Sequence, residues 1–247
     1  MVPFGIERWR FERAAEALWL AELSAEPLYG GNEEGLVATG RTPRKSAPEQ
    51  AYQLEVVLAE SEPPIWRRLR LLGSTPLHSL HLILQHAFGW TNSHLYQFEI
   101  GDRHFAEPDP EEDAYSESPP EDARRFRLQD FGFKQGSEFS YIYDFGDWWD
   151  HRIQVEAIFP ADAAEQYPCC VGGARAGPPD DSGGVHGYHE LLMALANPRH
   201  PDHAQWSEWV PSGFNPEAFS AQDTTRTLQR FHGKAGRRAR RTTSQWS

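Results

Sequence analysis

The strongest constraint in this chain is the pair of alternating runs around residues 141–151, Tyr-Ile-Tyr-Asp-Phe-Gly-Asp-Trp-Trp-Asp-His. Successive side chains of a strand point to opposite faces, so a period of two marks a strand with one buried side. Phe139, Tyr141 and Tyr143 share a face of the first run; Trp149, His151, Ile153, Val155 and Ala157 share a face of the second. Between them Phe145-Gly146-Asp147-Trp148 has the chemistry of a tight turn, since glycine tolerates positive φ and aspartate bonds its own nearby backbone. The prediction is a β-hairpin with acids at Asp144, Asp147 and Asp150 and with His151 on an otherwise apolar face at its mouth.

Comparable patterns lie upstream. Tyr52-Gln-Leu-Glu-Val-Val-Leu alternates as a strand, and Pro63-Pro64 interrupts it. Residues 65–72 alternate again, with Ile65, Arg67, Leu69 and Leu71 on one side and Trp66, Arg68 and Arg70 on the other. Two short strands around a small break predict another hairpin. Ser74-Thr75-Pro76 then opens a helix, a hydroxyl cap followed by proline in the first turn. Its buried stripe is Leu77, Leu80, His81, Leu84 and Phe88, and Gly89 ends it. A strand over 94–100 places Tyr96, Phe98 and Ile100 on one face before Gly101-Asp102 turns it into a short return strand.

Later in the chain, 188–196, 203–209 and a segment capped by Asn215-Pro216-Glu217 and reaching Phe231 read as helices. This order predicts an α+β domain with a mainly antiparallel sheet and packed helices, its hairpin-helix-strand opening similar to a β-grasp. The domain is expected over 50–232. Before it, 7–23 reads as an amphipathic helix followed by a linker to 49; after it, 233–247 is a basic tail expected to be disordered. Residues 107–125, rich in proline and acid, are expected to form a mobile loop, and 169–187 is expected to be irregular.

Charge and composition narrow the partners. An aromatic content of 13% argues for a packed globule, and a net charge of −12 opposes phosphate, which leaves nucleic acid only the basic tail with Arg237, Arg238, Arg240 and Arg241. Cys169 and Cys170 are adjacent, a spacing that does not easily bridge, so no disulfide framework is expected. No apolar run approaches the ~18 residues of a membrane span and there is no signal-peptide core, so the expectation is a cytoplasmic protein with a protein or small-molecule partner and no membrane contact.

Several separate motifs occur in order: Pro64-Ile65-Trp66-Arg67-Arg68-Leu69; Leu80-His81 with Gly89-Trp90 and His94-Leu95; Tyr143-Asp144-Phe145-Gly146-Asp147 with Trp149 and His151; and Pro178-Pro179-Asp180-Asp181 with Gly183-Gly184 and Gly187-Tyr188. Together they resemble the Ri-plasmid ORF-3-like family over roughly residues 51–232. Members are found on plasmids and beside transposable elements, and the resemblance implies no particular activity. A resolvase-like label carried by some members does not fit: no recombinase or helix-turn-helix signature is present and the chain is acidic. Relatives carry cysteines around the Pro-Pro-acid-acid run; Cys170 matches the upstream one, but Gly177 and Ser182 stand at the others. A closed thiolate zinc site needs four soft ligands, so none is expected.

Two candidate sites remain. A divalent metal such as Zn, Mn or Fe would suit Asp144, Asp147 and His151, completed by His94 or by Asp180 and Asp181. The alternative is that the two acids satisfy turn amides while His151 is bonded inside the core. The glycine-rich segment 172–184 would let Gly183 and Gly184 present a helix N-terminus to an anion, against which Asp180 and Asp181 act unless a cation intervenes. Arg67 and Arg68 either meet an acidic ligand or pair with acids across a sheet face. His186 and His189 lie one helical turn apart, and Cys170 has no evident base. The expected role is a binding or accessory module acting through a groove near 141–151 and 172–184; the rival is a metal-dependent hydrolytic enzyme using Asp144, Asp147 and His151.

Overall fold

The computed structural model describes residues 48–109 and 118–242, with side chains as far as residue 233. Its strands are β1 (Gln50–Leu58), β2 (Trp66–Leu72), β3 (Tyr96–Ile100), β4 (Arg103–Ala106), β5 (Glu121–Asp122), β6 (Glu138–Tyr143), β7 (Trp149–Pro160) and β8 (Cys169–Ala174). The helices are α1 (Leu77–Phe88), α2 (Gly184–Ala196), α3 (His203–Trp209) and α4 (Ala221–Thr242). All eight strands form one sheet in the order β5-β4-β3-β6-β7-β1-β2-β8, antiparallel throughout except between β4 and β5. The chain is therefore α+β, as the alternation requires.

The alternating pattern sets the register. Val56 of β1 lies opposite Arg67 of β2 and Ile153 of β7, and Tyr141 of β6 lies opposite His151 of β7 and Phe98 of β3. One face thus collects Leu54, Val56, Leu69, Leu71, Phe98, Tyr141, Tyr143, Trp149 and Ile153, packed with Leu77, Leu80, Leu84 and Phe88 of α1. Each large side chain buried there stabilises the fold by about 1.5–3 kcal/mol. The other face carries charge: Arg68 binds Glu156 and Glu55, Arg70 binds Glu165, and Arg152 binds Glu138. Antiparallel sheets can leave one side to water in this way.

The opening departs from a β-grasp: β1 is flanked by β2 and β7, while β3 lies three places from β1 and pairs with β6. Residues 169–174 are also regular where irregularity was expected, because β8 adds to the β2 edge. Its glycines serve close packing. A Cβ on Gly173 would lie 2.7 Å from the Trp66 carbonyl and 2.5 Å from the Phe219 ring. In the 107–125 segment, residues 110–117 lie outside the described residues, but β5 and a 3-10 turn at Ala123–Arg125 are formed, with Asp122 accepting from Arg124 N and Ala123 buried.

The helix ends also differ. The Ser74 and Thr75 hydroxyls do not cap α1, which begins after Pro76 with no side-chain cap, while Gly89 closes it in the left-handed conformation as expected. α2 starts at Gly184 rather than 188. Asn215 organises a turn, not the last helix; Ser220 lies before Ala221 and accepts from Asp223 N. α4 then runs past Gly233 to Thr242, through a lysine, arginine and alanine sequence of high helix propensity. The amphipathic helix expected over 7–23, and its linker as far as 47, lie outside the described residues.

Candidate functional site

Three connections meet at one end of the sheet: residues 89–95 between α1 and β3, the β6–β7 turn, and 178–183 leading into α2. Backbone and side-chain bonds tie them. Asp144 N donates to Leu95 O (2.9 Å), Trp90 Nε1 to Pro178 O (2.9 Å), and Gly183 N to the Asp147 carboxylate (3.0 Å). Ser93 N donates to the Tyr143 hydroxyl, and both the amide and the hydroxyl of Thr91 donate to Asp180.

The turn itself is built by Asp144. Its φ is +58°, a left-handed conformation that aspartate tolerates because its side chain can bond locally, and here Oδ1 accepts from Gly146 N at 2.9 Å. Asn92, Trp148 and Asp181 also have positive φ. Four non-glycine residues with left-handed backbone thus border the junction; Asn92, Asp144 and Asp181 tolerate it, and Trp148 is the one for which it is strained.

Within this junction His94 Nε2 lies 3.1 Å from Asp181 Oδ1 and 3.5 Å from Asp144 Oδ2, and the three ligand atoms fall within 4.8 Å of one another. His94 Nε2 is buried and makes no hydrogen bond among the described residues despite these neighbours. Donors bound to a zinc-sized ion at ~2.0–2.2 Å stand roughly 3–4 Å apart. The two histidine distances match, and Asp181 is exposed enough to adjust. Asp144 is 9% exposed at its side chain and Asp181 57%, so the cluster opens to solvent on the Asp181 side. Beside it stand exposed apolar groups, Leu95, Phe145 and Trp148, the last two with ring centroids 6.0 Å apart.

The other residues singled out in the sequence divide between support and core. Asp147 is engaged at the α2 N-terminus, where a carboxylate suits the unpaired N–H groups. That contact occupies Gly183, and Gly184 packs against Asp147 O, so neither glycine presents an open anion site. Asp180 is buried and held by Thr91; burial raises its pKa, which those hydrogen bonds oppose. His151 is not in the cluster. It is fully buried against Phe88, Trp90 and Tyr141, with Nδ1 near the carbonyls of Tyr141 and Trp149, and burial lowers its pKa to about 4.

Arg67 is a core residue, not an anion contact. It donates to the carbonyls of Ala87, Trp66 and Ala174 and lies over the rings of Phe88 and Phe219, and burial lowers its pKa to about 10. Arg68 is paired on the charged sheet face. Cys169 and Cys170 are buried and free; burial pushes Cys169 up to about 12 and raises Cys170, which removes thiolate reactivity. His186 and His189 are exposed on α2 at the edge of a separate cavity.

A buried network holds the His94 loop. His81 stacks on Tyr96 at 3.6 Å, and its Nε2 and Nδ1 bond Asn92 Oδ1 (2.6 Å) and the Tyr141 hydroxyl (2.8 Å). Gln85 completes it, donating to the same hydroxyl and accepting from Asn92 N. With Asn92 Oδ1 accepting, the His81 proton resides on Nε2 and Nδ1 accepts from Tyr141. Single residues on a helix stripe and a strand gave no sign that they joined in this way.

Residues 50–223, which contain every element named in the junction, match the model of the plasmid pRiA4b ORF-3-like protein family. The chain belongs to that family. The chain is 40% identical over 196 residues to the uncharacterized protein y4hQ of Sinorhizobium fredii, a match spanning 77% of this chain and 97% of the relative. It is also similar to the crystal structure of MM3350, a protein of unknown function from Methanosarcina mazei Go1, with a TM-score of 0.65 and 30% identity, covering 72% of this chain and 98% of that one. Neither description names an activity for an ORF-3-like protein. Among the described residues no helix is long and apolar enough to cross a membrane.

Proposed function

We propose that this ORF-3-like protein is a metal-dependent binding module, with His94, Asp144 and Asp181 as ligands of a divalent cation. The observation that carries the reading is His94 Nε2, buried, facing two carboxylate oxygens at 3.1 and 3.5 Å, and without a hydrogen bond among the described residues. A cation between the three groups would satisfy all three at once. One imidazole and two carboxylates suit Zn, Mn or Fe, and three protein ligands leave positions for a bound molecule. The exposed rings of Phe145 and Trp148 beside the cluster suit a ligand that presents a metal-binding oxygen and an apolar group together.

Binding is favoured over hydrolysis because the adjacent acids are engaged. Asp147 accepts the Gly183 N–H and Asp180 Oδ2 accepts both Thr91 donors, so hydrogen bonds to the scaffold hold both acids in place. The test is the metal content and calorimetric zinc and manganese titration of full-length protein purified without a histidine tag, beside His94→Ala and Asp181→Ala. Near-stoichiometric metal that both variants lose supports the assignment. A folded protein that takes up neither ion, or Asp181→Ala retaining wild-type affinity, overturns it.

A further inference from the structure

A second candidate site lies between the β1–β2 loop and α2, in a cavity of about 250 Å³ that shares no lining residue with the His94 cluster. Its size is just below the ~300–1,000 Å³ of drug-sized sites, which suits a small metabolite. Tyr188 lines it, is 4% exposed, and its hydroxyl has no hydrogen-bond partner among the described residues. A buried hydroxyl left unpaired is unfavourable, and a ligand oxygen would relieve it. Burial raises the Tyr188 pKa to about 12, so the group is a neutral donor at physiological pH.

Beside it Arg175 is buried and lines the same cavity. Its Nε and Nη2 both contact Glu217 Oε1 and its Nη1 donates to Pro63 O. A guanidinium has five N–H donors, so donors remain for an acceptor in the cavity. The rim differs in character: its exposed lining residues are the carboxylates of Glu60 and Glu62 and the imidazoles of His186 and His189. Ile65, Val185 and Leu192 supply apolar wall. A simple carboxylic acid would meet Arg175 and Tyr188 at depth but two carboxylates at the rim; a simple amine would satisfy the rim but oppose Arg175. A molecule carrying both charges satisfies both ends.

We infer that this cavity binds a small α-amino acid with an aliphatic side chain, its carboxylate on Tyr188 and Arg175, its ammonium toward Glu60 and Glu62. The assignment is independent of the metal centre. Isothermal titration of the full chain with leucine, isoleucine and valine, and with N-acetyl-leucine and leucinamide, tests it. At least one free amino acid should bind, and each capped derivative of leucine should bind leucine's site about tenfold more weakly, a charge-assisted bond being worth about 1.5–3 kcal/mol. Tyr188→Phe, checked by circular dichroism, should weaken the free amino acid severalfold. Glu60→Gln with Glu62→Gln, both exposed and so compatible with folding, should weaken leucine while leaving N-acetyl-leucine unchanged or tighter, since its carboxylate no longer meets like charge at the rim. Absence of binding by all three amino acids, equal affinity for the N-acetylated form, or unchanged affinity in both variants overturns the inference.

Discussion

Asp147 and Gly184 touch through their main chains: a Cβ on Gly184 would stand 2.4 Å from the Asp147 carbonyl oxygen, closer than any side chain permits. Gly184 also has φ +68°. This contact, with the Gly183 N–H on the Asp147 carboxylate, docks the hairpin turn onto the start of α2 and brings Asp181 toward Asp144.

Gly184→Ala meets two penalties. A Cβ in the left-handed region costs about 1–2 kcal/mol, and the clash with backbone about 1–3 kcal/mol more. The expected loss is about 2–5 kcal/mol in urea unfolding, with weaker metal uptake because Asp181 shifts with the helix start. Asp147→Asn keeps an oxygen for Gly183 but removes its charge, and should cost only about 0.3–1 kcal/mol.

Neighbouring arginines make a second contrast. Arg67 is 3% exposed and held by three carbonyls and two rings, whereas Arg68 lies on the solvated sheet face with Glu156. Arg67→Ala leaves carbonyl oxygens unpaired and a cavity beside Phe88, so a loss of about 3–5 kcal/mol is expected. Arg68→Ala should cost about 1 kcal/mol or less, since partly exposed ion pairs are screened by water. Denaturant midpoints of the two variants, measured side by side, check the order.

That contrast also marks how far the sequence could be read. Period-two alternation placed Arg67 on the apolar side of β2 with Ile65 and Leu69, and the structure buries all three. It equally placed His151 among Trp149 and Ile153, where the core reading of that histidine was available beside the metal one. The hairpins, α1 and its glycine end were legible because each is local. The β8 edge strand was not, since its glycines look like loop chemistry until Trp66 and Phe219 are packed on them. The partnership of His94 with Asp144 and Asp181 was only half visible: the residues were candidates, but 50 and 37 positions separate them from one another in turn, and only the sheet order brings their loops together.

Acid should weaken the fold well before the carboxylates titrate. Burial holds His81 at about 3 and His151 at about 4, and lowers His86 and His232 where α1 meets α4. Above pH ~6.5 these groups are neutral both folded and unfolded. As pH falls below ~6.5 the unfolded chain takes up protons that the folded chain refuses, so stability declines by up to about 1.4 kcal/mol per pH unit for each histidine. The decline continues to about pH 4 for His151 and about pH 3 for His81. Urea midpoints between pH 7 and 5 should drop steadily, and His151→Leu should shallow the slope by about one proton. A flat profile over that range would contradict the buried, neutral assignment.

Trp148 separates folding from binding most cleanly. It is 56% exposed and has φ +55°, so its side chain gains little from burial while its backbone sits in a region that penalises a Cβ. Trp148→Gly should therefore leave stability unchanged or raise it by about 1 kcal/mol, because glycine adopts that conformation without strain. Its indole contributes nothing to the His94, Asp144 and Asp181 donor set, so zinc affinity of the variant should stay within about twofold of wild type. The ring pair with Phe145 would be lost, however, and with it the apolar edge of the cluster. Capture of an aromatic carboxylate such as benzoate by the metal-loaded protein should weaken severalfold, since an aromatic pairing is worth about 0.5–1.5 kcal/mol. Calorimetry on the metal-loaded wild type and variant reads both quantities. If the variant instead unfolds easily, the exposed tryptophan is a structural residue and the ring pair is not a binding edge.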